Sequence, residues 1–217
     1  MKYELAIFDM DGTLYEFEGG PIDFSRTEAY SKIIDNGIEF IAQKLAVSRQ
    51  KATTIRKAIV EKYANDISIG LEKEYGIDKL SYFNTVWNVD ASKYVKYDPE
   101  LKSLFESLSC KKAVLSAAPR IWVKRVLNQL QISDLVDEIW TGEGDIRKPS
   151  KEAYFAVVHK FGFVPAECVV LDDEIKNIKA AKAFGMGTIF VSNQASKEDV
   201  PEADHVIKNI YEIRNIM

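Results

Sequence analysis

The first apolar run of the chain, Leu5-Ala6-Ile7-Phe8, stops at Asp9-Met10-Asp11-Gly12-Thr13. A run of this kind suits a buried strand. Two carboxylates at the end of a buried strand are costly to desolvate unless something uses them. Parallel α/β sheets hold their ligands at that edge. Met10 keeps Asp9 and Asp11 close while pointing them differently. One acid can then attack while the other trades protons, and a divalent cation can sit against both. Gly12 lets the backbone approach a ligand closely. Asp-Gly is also a common turn signal, so the weight of the motif depends on what the rest of the chain sets beside it.

After Thr13 the pattern changes. Tyr15 to Asp23 reads as an aromatic loop with Gly19-Gly20-Pro21 near its end. Ser25-Arg26-Thr27-Glu28 reads as a capping box, and Ile33, Ile34, Ile38, Ile41 and Leu45 keep helical spacing behind it. A second helix is expected from Ser48, with Ile55, Ile59 and Tyr63 on one face, and shorter helices over Asp66–Tyr75 and Asp78–Trp87. Asp98-Pro99 marks another helix start. Strands are then expected at Lys112–Leu115, Glu138–Trp140, Cys168–Leu171, Thr188–Val191 and His205–Ile207. Helices are expected between them at Pro119–Leu130, Lys151–Phe161 and Ile175–Phe184, with a last helix at the C-terminus. Such alternation predicts an α/β fold with a doubly wound parallel sheet. Residues 1–16 and 97–217 are expected to form that core, and 17–96 an inserted all-helical domain able to act as a lid.

Composition narrows the chemistry. The chain of 217 residues is 47% hydrophobic and 29% charged, with a formal net charge of -4, so no nucleic-acid polymer is implied as a partner. No apolar stretch reaches membrane length. Cys110 and Cys168 have no metal-ligand spacing and predict a reducing, cytoplasmic setting. His159 and His205 are the only histidines, which argues against zinc-protease motifs and histidine triads. Neither GxxxxGK[ST] nor GxGxxG occurs. The reactive groups must therefore be carboxylates, lysine and hydroxyls.

Three later sites fall where this topology would use them. Val114-Leu115 leads to Ser116, a hydroxyl at a strand end. Arg147-Lys148-Pro149 precedes a helix, and a lysine there can neutralise a phosphoryl group or a carboxylate. Val169-Val170-Leu171 runs into Asp172-Asp173, followed by Asn177. Four carboxylates around one crevice repel strongly without a cation, and an oxygen-rich site of this sort suits Mg²⁺.

In order, these elements resemble the haloacid dehalogenase superfamily. Asp9-Met10-Asp11-Gly12-Thr13 is similar to its first motif, Ser116 to its second, Lys148-Pro149 to its third, and Asp172-Asp173 with Asn177 to its fourth. The helical insert sits where that family inserts its cap. The resemblance implies a phosphatase in which Asp9 is the nucleophile and Asp11 the acid–base. It implies Mg²⁺ held by Asp9, the Asp11 carbonyl and Asp173, with Asp173 preferred for its four-residue spacing to Asn177 and with Asp172 and Asn177 as auxiliaries. Gly12, Ser116, Ala117 and Lys148 would meet the phosphate; Ala117 stands where many members carry Asn. The second acid, Asp11, favours phosphoester over carbon–halogen chemistry. A narrower resemblance, carried by Phe8 to Tyr15, Tyr63 to Leu71, Asp98-Pro99-Glu100-Leu101 and Leu171 to Glu174, is to pyrimidine 5′-nucleotidase-like members. It implies a nucleoside 5′-monophosphate substrate, with Tyr15, Phe17, Tyr63, Tyr75, Tyr82, Phe83 and Trp87 as surface for a base and Arg120 and Arg147 as extra phosphate contacts. Phosphoglycolate or a sugar phosphate, or a phosphomutase reaction, are the alternatives within the superfamily. A non-catalytic binding protein is disfavoured by the complete set of acids, hydroxyl and lysine. The partner implied is a small phosphorylated metabolite, and the protein is expected as a monomer or homodimer.

Overall fold

Strand β1 (Leu5–Phe8) is apolar along its whole length, and all four side chains are fully buried. Such a strand belongs inside a parallel sheet covered on both faces. The computed structural model describes residues 3–16, 24–63 and 66–217. In it β1 pairs in parallel with β2 (Lys111–Leu115) and β4 (Cys168–Asp172). β3 (Glu138–Trp140), β5 (Gly187–Val191) and β6 (His205–Ile207) complete a six-stranded sheet of order β3-β2-β1-β4-β5-β6. The order reverses about β1, so the crevice beyond the C-terminal ends of β1 and β4 is the natural ligand position for this topology.

Four helices accompany the strands: α5 (Pro99–Ser107), α6 (Arg120–Gln129), α7 (Lys151–Phe161) and α8 (Ile175–Ala183). One apolar layer joins Leu5, Ile7, Leu115 and Val170 of the strands to Tyr154 and Val157 of α7 and Ala181 of α8. Asp98 caps α5, accepting from the Glu100 N–H at 2.9 Å, with Pro99 as the first helical residue. The last segment, Ile210–Asn215, is a 3-10 helix and not the α-helix expected. Ile210 and Ile213 are both buried, and a three-residue apolar spacing suits the tighter turn.

The chain forms two compact units, Met1–Ile22 with Ala91–Met217, and Asp23–Asp90. The turn Ala91–Lys93, assigned to the insert on sequence grounds, packs against α6 of the α/β unit. The second unit is helical among its described residues: α1 (Glu28–Leu45), α2 (Arg49–Lys62), α3 (Ile67–Tyr75) and α4 (Lys79–Val86). Ser48, Asp66 and Asp78 cap the last three through side-chain bonds from the N–H groups of Lys51, Ile69 and Ser81. The first cap is displaced from the expected box. Thr27, not Ser25, accepts from the Tyr30 N–H at 3.1 Å, and its own hydroxyl donates to the Phe24 carbonyl at 2.8 Å, closing a 3-10 turn over Phe24–Arg26. Phe17, Gly19-Gly20-Pro21 and the junction at residue 17 lie outside the described residues. No helix among the described residues is long and apolar enough to cross a membrane.

Candidate active site

The end of β1 delivers Asp9, and the end of β4 delivers Asp172 and Asp173; one carboxylate oxygen from each lies within 4.8 Å of the others. Lys148, from the loop before α7, reaches between them. Its Nζ stands 2.5 Å from Asp9 Oδ1 and 2.9 Å from Asp172 Oδ2. Two acids thus share one ammonium in a buried place, with Asp173 as a third acid beside them. Burial, together with repulsion from Asp172 and Asp173, drives the Asp9 carboxyl well above the usual carboxylate range, despite Lys148. Burial and the Asp172 charge push Asp173 up to about 6. Burial works to lower Lys148, but the attraction of Asp172 and Asp9 outweighs it and holds the ammonium above its ordinary range. This excess of negative charge, offered by hard oxygen atoms, fits a divalent cation.

The acids are not equivalent. Asp172 is saturated: besides Lys148 it accepts from Asn177 Nδ2 at 2.9 and 3.0 Å and from the Glu174 N–H at 2.8 Å. Asn177 therefore orients Asp172 and Glu174. Asp173 accepts from Thr13 Oγ1 at 3.3 Å. Gly12 adopts φ +85°, and a Cβ on it would lie 2.4 Å from Asp173 Oδ2, so this carboxylate occupies the space that glycine leaves. The Gly12 N–H donates to the Tyr15 carbonyl at 3.1 Å.

Asp11 faces a different neighbourhood. Its Oδ1 accepts from the hydroxyl of Tyr15 and from Trp122 Nε1 at 3.1 Å. Burial raises its pKa, and these two donors oppose the rise. Burial also keeps the Tyr15 phenol protonated, and the Asp11 charge adds to that effect. Ser116, two residues beyond the Phe8–Val114 register pair, is buried, and its Oγ accepts from the Ala118 N–H at 3.0 Å. Ala117 is exposed beside it, and Gly142 packs so tightly there that a Cβ would fall 1.9 Å from the Ala117 carbonyl oxygen.

Other expected participants have partners of their own. Arg120 donates from its guanidinium to the Ile139 carbonyl of β3 at 3.2 Å. Tyr82 and Phe83 are buried in the core of the helical unit, where Tyr82 packs edge-on to Phe40. Trp87 stacks on Phe24, and the Tyr63 hydroxyl donates to Glu74. Tyr15, read as surface for a base, turns its hydroxyl to Asp11. Sequence reasoning missed Trp122, because nothing local to α6 sets its indole apart from an ordinary core residue.

Residues 3–185 match the family described as haloacid dehalogenase-like hydrolase. The chain is 24% identical, over 98% of its length and 96% of the relative's, to a validoxylamine A 7′-phosphate phosphatase of Streptomyces hygroscopicus subsp. limoneus. It is 25% identical to a phosphorylated carbohydrates phosphatase of Thermotoga maritima, over 86% of this chain and 84% of the relative. A solved HAD phosphatase from Thermococcus onnurineus superposes with a TM-score of 0.64 at 18% identity, covering 100% of this chain and 97% of that one.

Proposed function

Because the chain belongs to the haloacid dehalogenase-like hydrolase family, we propose that it is a Mg²⁺-dependent phosphomonoesterase for a small phosphorylated metabolite, working through an aspartyl-phosphate. The observation that carries this reading is the division of labour between two acids two residues apart. Asp9 is paired with Lys148 at 2.5 Å, whereas Asp11 is bonded to neutral donors. Lys148 opposes the rise that burial and the neighbouring acids impose on Asp9, and a cation at the site would complete that offset and leave Asp9 an anionic nucleophile; Asp11, raised by burial and without an ammonium partner, is poised to carry a proton.

In this mechanism a carboxylate oxygen of Asp9 attacks phosphorus in line, and the bond to the leaving oxygen breaks as the new one forms. Asp11 gives its proton to that leaving oxygen. It then takes a proton from the water that attacks the phosphorus of the aspartyl-phosphate, releasing inorganic phosphate and restoring Asp9. Lys148 offsets charge on the phosphoryl oxygens. Ser116, whose oxygen already accepts from Ala118, offers its own proton to one of them, and the Ala117 backbone N–H serves another. Asp9, Asp173 and the Asp11 backbone carbonyl would hold the cation, with Asp172 and Asn177 fixing the arrangement behind them. The bound ion would supply charge neutralisation at the phosphoryl group. Gly12 contributes its backbone conformation. The helical insert acts as the cap that selects the substrate.

A phosphorylated carbohydrate is favoured as substrate. One relative is named for phosphorylated carbohydrates and another for a 7′-phosphate. Burial of Tyr82 and Phe83 also removes two of the aromatic groups that a pyrimidine base would need. The test is phosphate release from sugar phosphates, phosphoglycolate, UMP and CMP, with Mg²⁺ and with EDTA. Release is expected to peak on a sugar phosphate and to vanish with EDTA and in Asp9→Asn. A peak on UMP or CMP would restore the nucleotidase reading and keep the mechanism. Activity retained by a folded Asp9→Asn would remove Asp9 as nucleophile.

A further inference from the structure

Asp11 is set apart from the other acids of the site by its partners. Lys148 bonds Asp9 and Asp172. Asp11 is met on a single oxygen, Oδ1, by the Tyr15 hydroxyl and by Trp122 Nε1. Both donors are held independently of the carboxylate. Asp11 and Tyr15 form a backbone bridge, and the Gly12 N–H donates to the Tyr15 carbonyl at 3.1 Å, so the turn itself carries the phenol back to the acid. Trp122 belongs to α6 and is completely buried, so its indole cannot swing away.

We propose that Tyr15 and Trp122 are positioning residues for Asp11, fixing which of its oxygens carries the proton. With Oδ1 occupied by two donors, the proton resides on Oδ2. When it passes to the leaving oxygen, the electron pair of the broken O–H bond stays on the carboxylate. The charge that spreads to Oδ1 meets donors already in place. Tyr15 and Trp122 keep their own protons throughout. The inference rests on Asp11 being the general acid of the proposed reaction.

Leaving groups of different basicity provide the test. Tyr15→Phe keeps the ring and removes the donor. It is expected to lower kcat/KM, which reports the steps up to departure of the leaving group, about 10-fold on the best alkyl phosphate of the panel, the size expected for one lost bond to a charged group. It should change kcat/KM for p-nitrophenyl phosphate less than about 2-fold, since that leaving group departs without needing a proton. Trp122→Phe should show the same selectivity, with thermal melting confirming that it folds. On an Asp11→Asn background Tyr15→Phe should add nothing. Equal loss on both substrates, no loss on either, or a loss that persists in the Asp11→Asn background would overturn the inference. The underlying reading fails separately: if Asp11→Asn lowers kcat/KM equally for both substrates, the acid role of Asp11 falls. If Asp11→Asn discriminates between them and Tyr15→Phe does not, only the positioning role falls.

Discussion

The α/β unit and the helical unit both set acids beside basic side chains, in opposite ways. Lys148, Asp9 and Asp172 have side chains 4%, 9% and 2% exposed. In the helical unit the pairs Arg49–Asp35 and Lys62–Glu74 have side chains between 37% and 64% exposed. The helical unit therefore folds on its apolar faces, with Ile33, Ile41, Leu71 and Val86 buried and its charges left in water. The α/β unit accepts desolvated charge at the one sheet edge where a ligand can repay it. Where a buried charge is not needed for folding, its presence marks chemistry.

The sharpest way to break this contrast is to remove the buried cation. Lys148→Met leaves Asp9 and Asp172 facing each other without a counter-charge. Loss of one partner from a buried network costs about 3–5 kcal/mol, which in a chain of this size lowers the melting temperature by roughly 10 °C. Melting in EDTA should show that drop. A variant that melts like the parent in EDTA would mean that the buried acids are not under charge stress.

Glycine replacement makes the same comparison with smaller effects. Gly142→Ala would push a methyl group to 1.9 Å from the Ala117 carbonyl oxygen, so the strand-end loop bearing Ser116 must move. A cost of about 1–3 kcal/mol is expected, with turnover reduced beyond what stability explains. Gly37, inside α1, is the counterpart in the helical unit. A Cβ there would meet Tyr82 and Val86 at ordinary contact distances of 3.7 Å. Gly37→Ala should therefore stabilise by about 0.5–1 kcal/mol through helix propensity, with activity unchanged. Urea melts of the two variants should move in opposite directions.

The same division governs how much could be read before the structure. Helix starts at Ser48, Asp66, Asp78 and Asp98 were legible because an N-cap is a local bond, made by a side chain to an N–H two or three residues on. Thr27 escaped because Ser25 offered an equally good local pattern, and only the bond to Phe24 chooses between them. β1 and the acids after it were legible because an apolar run ending in two carboxylates has few physical explanations. The partners of those acids were not. Trp122 reaches Asp11 across 111 positions, and Lys148, legible as a neutralising lysine, gave no local sign of which acids it would join. The bond from Asn177 to Asp172 was not legible either, because spacing alone does not say which of two adjacent acids an amide orients.

A pH comparison refines the contrast at lower amplitude. Asp204 lies between Lys182, at 2.5 Å, and the Thr188 N–H, at 3.0 Å. Partial burial raises its pKa, but these partners outweigh that and hold it below the usual carboxylate value. The charged form is thus favoured more in the folded chain. Its contribution is complete above the unfolded pKa of about 4 and is lost as pH falls through the folded value. Asp204→Asn should flatten the loss of stability between pH 5 and pH 3, read from urea midpoints. In the helical unit Glu74 is also held low by Lys62 and Tyr63, but at the surface, so Glu74→Gln should flatten the slope less. Equal slopes would mean that anchoring the Thr188 backbone adds nothing to the effect of charge.

The smallest effect is expected at an ion pair that distance alone would rank above the Lys148–Asp172 pair. Arg49 stands 2.6 Å from Asp35 and 3.7 Å from Glu39, closer than Lys148 stands to Asp172, yet all three side chains are more than half exposed. Water already solvates each charge, so the pair replaces good hydration with a contact that also restricts two long side chains. Arg49→Ala should shift the urea midpoint by no more than about 0.5 kcal/mol, and less still in high salt. A loss above about 1 kcal/mol would show that short distance, and not removal from water, decides what a charge pair is worth in this chain. The buried network around Lys148 would then no longer stand out as the signature of a site.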